Sequence, residues 1–350
     1  MNYSFFLNPT NFRMNRNVMY ALPVVGLFAV LAFYQVIKLT EPYTLYSTDG
    51  YRSLSSKIVP THREISSHCL LSTPRFQGIK VYSQNDEDGI ILHLLRCMGG
   101  HGKKEYFEFG AHDGMQVNTR VLRDHYGWKG HMLDGAFDKP EIGLHKEWFT
   151  PSNIAQLLEK YEVSKTVDVL SVDADCDDFW ITREILASGY KPRVLIQEYN
   201  PQFDSQTAIS TLPKEIGKES EGHCIFMYYG ASALAFQRML YGFGYTLVHS
   251  NKVNLFFVRS DLASGLGLNL PAAYDVVQPV EKKDRPPMDM GLPDPLTKDR
   301  GYAVIDDKAV DILTNPAHAH ATVKKLFEDS SVKMKHTEQA YYRFNDIIHD

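Results

Sequence analysis

A mostly parallel α/β sheet with helices on both faces and a closing hairpin is the fold class this sequence predicts. Three observations predict it. Apolar runs of strand length alternate with stretches of helix length from residue 105 to residue 241. The first run, 105–109, ends in an acid and enters a turn with glycines four positions apart, Glu108-x-Gly110-x-x-x-Gly114. Two further apolar runs, 245–248 and 255–258, lie close enough to form a hairpin.

At the N-terminus, residues 18–37 form an apolar run broken only by Pro23 and Gln35, long enough to cross a bilayer as a helix. Arg13 and Arg16 precede it without an acid, so residues 1–17 are expected in the cytosol and the rest across the membrane. The anchor is assigned to 18–38. It reads as an uncleaved type II signal-anchor, because Phe33-Tyr34-Gln35 stand where a cleaved signal peptide carries small residues. Residues 39–75, with scattered Pro, Ser, Thr and Tyr, read as a stem. No Asn-x-Ser/Thr sequon lies beyond the anchor.

The main domain is expected over 76–262. Ser83, with acids three and four residues later, predicts the cap of a surface helix that runs through 90–95. Strands follow at 105–109, 130–134, weakly at 142–149, and at 167–175 and 193–199. Helices are expected from the glycine turn to residue 123, and at 152–161, 179–188 (stopped by Gly189) and 232–241. Residues 263–302 hold Pro271, Pro279, Pro286, Pro287, Pro293 and Pro295 and read as a linker. Residues 303–350 read as an appendage of one or two helices, for example over 321–328. His318 and His320 lack an acid or cysteine at ligand spacing, and read as a solvated pair.

With 350 residues, 44% of them hydrophobic and 23% charged, the chain has room for one large domain plus extensions. A net charge of −5 and the lack of any basic stripe along the sequence give no nucleic-acid footprint. Cys69, Cys97, Cys176 and Cys224 lack CxxC spacing, so neither a zinc site nor a disulfide framework is implied, and one or two bridges stay open.

Chemistry concentrates at the strand ends. Gly110 allows a sharp turn and close approach of backbone to a ligand, and free N–H groups there, near Glu108, suit a ribose or a methionine-type zwitterion. Asp134 ends the second strand twenty residues past Gly114, where nucleotide-binding α/β folds place a ribose-binding acid. The fourth strand runs into Asp173-Ala174-Asp175-Cys176-Asp177-Asp178, and alternation puts Asp173 and Asp175 on one face. Acids that close repel unless a cation lies between them. With Glu198 and Asn200 at the end of the fifth strand, they form a set of hard oxygen ligands for a magnesium-like ion. Asp177 or Asp178 is expected to cap the next helix.

These residues resemble the class I S-adenosylmethionine-dependent methyltransferases. More narrowly, Tyr82-Ser83-Gln84 with Glu87-Asp88-Gly89, Phe107-Glu108-Phe109-Gly110-Ala111, and Asp173-Ala174-Asp175 before Asp178-Phe179-Trp180 resemble the FkbM-type methyltransferase family. So do Pro192-Arg193-Val194 leading to Glu198-Tyr199-Asn200, and Tyr229-Gly230-Ala231-Ser232. The likeness covers about residues 80–260. It implies S-adenosylmethionine as cofactor, with Glu108, Gly110 and Gly114 at its methionine end, Asp134 on its ribose, and Ala111, His112 and Gln84 as further cofactor-binding candidates. It also implies that Asp173 and Asp175 face the acceptor. Cys176-Asp177 depart from the family's Gly-Asn at this place.

The expected activity is O-methylation of a glycan hydroxyl in the secretory lumen, in the Golgi or endoplasmic reticulum. Asp173 or Asp175 would act as base or as ligands of magnesium or manganese, and His112 is a third candidate base. Two other classes compete. A Golgi glycosyltransferase also combines a type II anchor and stem with an Asp-x-Asp motif, here Asp173-x-Asp175, but has no need of the glycine turn. A non-catalytic trafficking or cargo protein with a methyltransferase-like fold fits the altered Cys176-Asp177 segment, while retained Glu108, Gly110, Gly114 and Asp134 oppose it.

Overall fold

The computed structural model describes residues 69–70, 78–203, 206–213, 229–251, 253–264, 301–318, 325, 333–336 and 339–342. The anchor at 18–38 and nearly all of the stem and linker lie outside these residues, as do His320 and most of 321–328. Among the described residues no helix is long and apolar enough to cross a membrane.

The main sheet is Rossmann-like and mostly parallel. Its strands are β1 Glu105–Phe109, β2 Lys129–Asp134, β3 Leu144–Lys146, β4 Val169–Val172, β5 Val194–Glu198, β7 Tyr245–Ser250 and β8 Asn254–Arg259. They lie in the order β3-β2-β1-β4-β5-β8-β7. The first five are mutually parallel, β8 runs antiparallel to β5, and β7 antiparallel to β8, which closes the expected hairpin. The side chains of successive residues leave a strand on opposite faces. Phe107, Phe109, Leu170 and Leu195 therefore pack with the helices Ile154–Lys160, Asp178–Ala187 and Ala233–Gly242. Tyr106, Val169, Val194 and Ile196 pack on the other side with the helix Glu87–Cys97. Burial on both faces is why these strands read as unbroken apolar runs.

The helix expected directly after Gly114 is shorter, Arg120–Asp124. The amides of Asn118 and Thr119 donate to the buried Glu108 carboxylate at 2.8 and 2.9 Å, which ties that stretch to the strand before a helix can begin. Ser83 does not cap a surface helix with acids three and four residues on. Its hydroxyl pairs with Asp88, whose Oδ2 also accepts from the amides of Val81, Tyr82 and Ser83 at 2.8–2.9 Å. Glu87 and Asp88 are buried, and Asp86 is 9% exposed. Asp86 and Glu87 accept from Asn251 Nδ2, and Glu87 also from Asn254 Nδ2, so acids at the head of the helix fasten it to the hairpin.

Residues 301–302, expected to end the linker, and 303–318, expected to begin the appendage, pair and pack with the rest of the described chain. A second sheet, in the order β10-β11-β9-β6, joins β6 Ile209–Thr211 to β9 Gly301–Val304, β10 Lys333–His336 and β11 Gln339–Tyr342. The helix Asp307–Thr314 puts Ala309, Ile312 and Leu313 into the core beside Phe236 and Met239. Arg183, fully buried, donates to the carbonyls of Leu313, Asn315 and His318 at the end of that helix. His318 is not merely solvated, since its Nδ1 lies 3.0 Å from the Ile312 carbonyl oxygen. Ser232 caps the helix Ala233–Gly242 by accepting from Ala235 N at 3.1 Å, and also accepts from Ile209 N at 3.2 Å. Ser232→Ala is expected to lower stability by about 1–2 kcal/mol, as cap removal does, read as a shifted urea midpoint with an unchanged slope.

Cys69 and Cys97 form a disulfide, and Cys176 is disulfide-bonded too. Sequence spacing did not single out the Cys69–Cys97 pair because 28 residues separate the two, and it is the fold that brings residue 69 to the end of the helix Glu87–Cys97.

Candidate functional site

The site lies at the carboxyl ends of the parallel strands, where loops from β1, β2, β4 and β5 meet. The turn after β1 is stitched to the end of β2. Gly110 and Ala111 donate to the Leu133 carbonyl at 3.0 and 3.3 Å, and His112 N donates to Asp134 Oδ2 at 2.7 Å. The amides expected to be free for a ligand are thus used within the turn. Asp134 Oδ1 accepts from Ala136 N and Phe137 N, so both oxygens shape backbone. Gly110 has φ +72°, and a Cβ there would overlap the Asp173 carbonyl oxygen. This glycine therefore serves a close approach of the turn to the loop after β4.

Glu108 is buried, with its carboxylate held by Asn118 N, Thr119 N and the Thr119 hydroxyl. Burial pushes its pKa up to about 7 despite those three donors, and Asp173 adds to the rise. Ala111 is buried in the core beside the helix Glu87–Cys97. Gln84 is exposed, and its carbonyl accepts from Lys80 Nζ at 2.7 Å. The side chain of His112 is 78% exposed and its ring packs on Phe137 with centroids 4.4 Å apart.

Asp173, Asp175 and Glu198 each offer a carboxylate oxygen, and these three atoms lie within 4.8 Å of one another. Asp175 holds the left-handed conformation, φ 57°, which a short polar side chain tolerates better than most. Asp178 stands beside them, 1% exposed, with Oδ1 accepting from Ala174 N at 2.6 Å. Its Oδ2 and Glu198 Oε2 are buried without a hydrogen-bond partner. Burial raises Glu198 to about 11, with Asp173 and Asp178 adding to it, and raises Asp173 to about 6. Asp178 is driven well above the carboxylate range by burial and then by Asp173. Tyr229 is raised by burial and by Glu198 and Asp178. The cluster by itself therefore retains protons, and Glu198 hydrogen-bonds Asp173.

Asn200, expected as a fourth oxygen ligand, serves elsewhere. It is fully buried, accepts from Gln202 N and donates to the Tyr229 carbonyl, both at 3.0 Å. Asp178 instead adds a neighbouring charge that acts on Glu198. Its position at the first turn of the helix Asp178–Ala187 made capping the natural reading, and only the fold reveals the second, unpartnered oxygen. Glu87 also belongs to this field, since its charge acts on Asp173. The other group of potential metal ligands among the described residues, Cys69, His93 and Cys97, has its two sulfurs joined in the disulfide. Comparisons with family models and with curated proteins find no match to this chain.

Proposed function

We propose that this chain is an S-adenosylmethionine-dependent O-methyltransferase, anchored by residues 18–38 with its domain in the secretory lumen and acting on a glycan hydroxyl. The observation that carries the reading is the contact of Gly110 with Asp173, which sets the glycine turn beside the carboxylate cluster at one edge of the sheet. The strand order, five parallel strands and a closing antiparallel pair, is the arrangement expected of the class I methyltransferases that the motifs resemble. The Cys69–Cys97 disulfide supports an oxidising compartment.

A divalent cation fits the donor set. Hard oxygens and two buried oxygens without partners are what magnesium or manganese takes up. Asp173, Asp175 and Glu198 would hold it, with Asp178 behind them. Such an ion supplies positive charge that acidifies an acceptor hydroxyl. Without the ion, Asp173 itself would take the hydroxyl proton, oriented by its hydrogen bond with Glu198. His112, largely exposed on Phe137, ranks below the acids. Asp134 keeps room on Oδ2 for a ribose hydroxyl beside its bond from His112 N.

The same acid pair favours one second reading, a metal-dependent glycosyltransferase with Asp173-x-Asp175 on a nucleotide diphosphate. Titration calorimetry of the detergent-solubilised chain with S-adenosylmethionine and with nucleotide sugars separates the two. Heat from the methyl donor alone is the expected outcome, and binding of a nucleotide sugar alone moves the case to glycosyl transfer. Protease added to intact microsomes is expected to spare residues 76–350, and digestion without detergent would remove the lumenal assignment.

A further inference from the structure

At the amino-terminal edge of the main sheet, opposite the carboxylate cluster, the fold assembles a row of lysines. Lys129 opens β2, Lys103 and Lys104 precede β1, Lys165 lies on the approach to β4, and Lys191 on the approach to β5. All five are exposed. Backbone bonds set them side by side. Lys129 N donates to the Lys104 carbonyl at 3.0 Å, and Lys191 N to the Lys165 carbonyl. Lys103 Nζ reaches Ser164 Oγ at 2.7 Å, one residue before Lys165. Four adjacent strands carry the row, so it spans about 14 Å at the usual ~4.8 Å spacing.

The acids near this edge are mostly occupied. Asp168 pairs with Arg193 at 2.9 Å, Asp261 with Arg259 at 2.7 Å, and Asp124 with Arg120 and Arg123 at 2.7 and 2.6 Å. Half-buried Glu105 and exposed Glu159 and Glu162 are left against five lysines that make no ion pair among the described residues. A chain of net charge −5 thus presents a locally basic strip. Lysines this close repel one another, and a partner with evenly spaced negative charges relieves that.

We infer that this row is a docking surface for a linear sulfated glycan. Three kinds of polyanion meet lysine rows in proteins: nucleic acid, anionic lipid and acidic glycan. The disulfides at Cys69–Cys97 and Cys176 place the domain where thiols oxidise. Nucleic acid is not the polyanion of such compartments, and anionic lipid is concentrated on the cytoplasmic leaflet. Sulfated chains remain. The inference shares the oxidising, lumenal placement with the proposed function but not its chemistry, because the row lies at the opposite edge from the carboxylates.

Heparin is the probe. Fluorescence anisotropy of a labelled heparin oligosaccharide with the detergent-solubilised chain is expected to show binding at about 0.05 M salt that weakens at least tenfold by about 0.5 M, as screening shortens to a few ångströms. Lys129→Glu/Lys191→Glu is expected to weaken it at least tenfold. Lys80→Glu/Lys146→Glu makes the same charge change at exposed sites outside the row and is expected to change it less than threefold. Lys103→Gln/Lys129→Gln/Lys191→Gln, which adds no negative charge, repeats the test should the reversal variant not fold. Absence of heparin binding by the wild type, or equal losses in the row and control variants, overturns the surface. Tighter binding of single-stranded RNA or of phosphatidylserine vesicles overturns the glycan.

Discussion

Gly110→Ala is expected to destabilise the domain by about 2–5 kcal/mol, from left-handed strain of ~1–2 kcal/mol and overpacking of ~1–3 kcal/mol. Both causes act at once. The residue sits at φ +72°, and the new Cβ would overlap the carbonyl oxygen of Asp173, a backbone atom at the end of β4 that has no rotamer to change. Gly114→Ala provides the contrast. Its φ is +76°, but its Cβ would meet the end of the Ile142 side chain at 2.8 Å, which can turn away, so about 1–2 kcal/mol is expected. Urea midpoints of the two variants measure the difference, and equal midpoints would show that the β1 and β4 loops do not touch as described. The result also governs how binding data are read. Loss of a ligand in a Gly110 variant follows from displacement of Asp173 and does not by itself place the ligand at the glycine.

The main sheet was legible because its strands are buried on both faces and declare themselves as apolar runs: Val169–Val172 and Val194–Glu198 differ from their expected bounds by a residue or a few at each end. The hairpin was legible for the same reason. What the sequence concealed depends on partners far away in the chain. Nothing local to Glu108 announces that its carboxylate will take the amides of Asn118 and Thr119 and delay a helix. Asp86 and Glu87 read as solvated caps because Asn251 and Asn254, their buried partners, lie more than 160 residues away. Gly301–Val304 straddles the expected boundary of linker and appendage, and its pairing is hidden because β6, its neighbour in the second sheet, precedes a long stretch of unpatterned sequence. The lysine row is hidden more simply. Residues 103, 104, 129, 165 and 191 make no stripe until parallel strands bring their amino ends into line.

In EDTA, stability of the domain is expected to fall by several kcal/mol between pH 5 and pH 7.5, at about 1.4 kcal/mol per pH unit for each group that retains its proton only when folded. The sign follows from the raised acids. Asp173 is held at about 6 and Glu108 at about 7, against 3.8 and 4.5 when unfolded, and Glu198 stays protonated to about 11. Between the unfolded and folded values the unfolded chain binds fewer protons, so stability is full below about pH 4 and is lost as pH rises. Asp168 and Glu87 are lowered, so their contributions are complete below this window and do not offset it. Manganese or magnesium should flatten the profile, because an ion among Asp173, Asp175 and Glu198 replaces the protons that the cluster needs. Glu198→Gln should make the fall shallower without metal, since the amide imitates the protonated acid and can still donate to Asp173, and should abolish the response to manganese. Urea midpoints at the two pH values, with and without the ion, provide the measurement. A metal-free midpoint that holds steady or rises with pH would show that the folded chain does not hold these acids protonated. Activity then divides the remaining possibilities. Methyl transfer lost in EDTA and restored by manganese assigns the acids to the ion. Transfer that survives EDTA but fails in Asp173→Asn assigns the proton to that carboxylate, and normal transfer by Asp173→Ala/Asp175→Ala would leave His112 as the base to test.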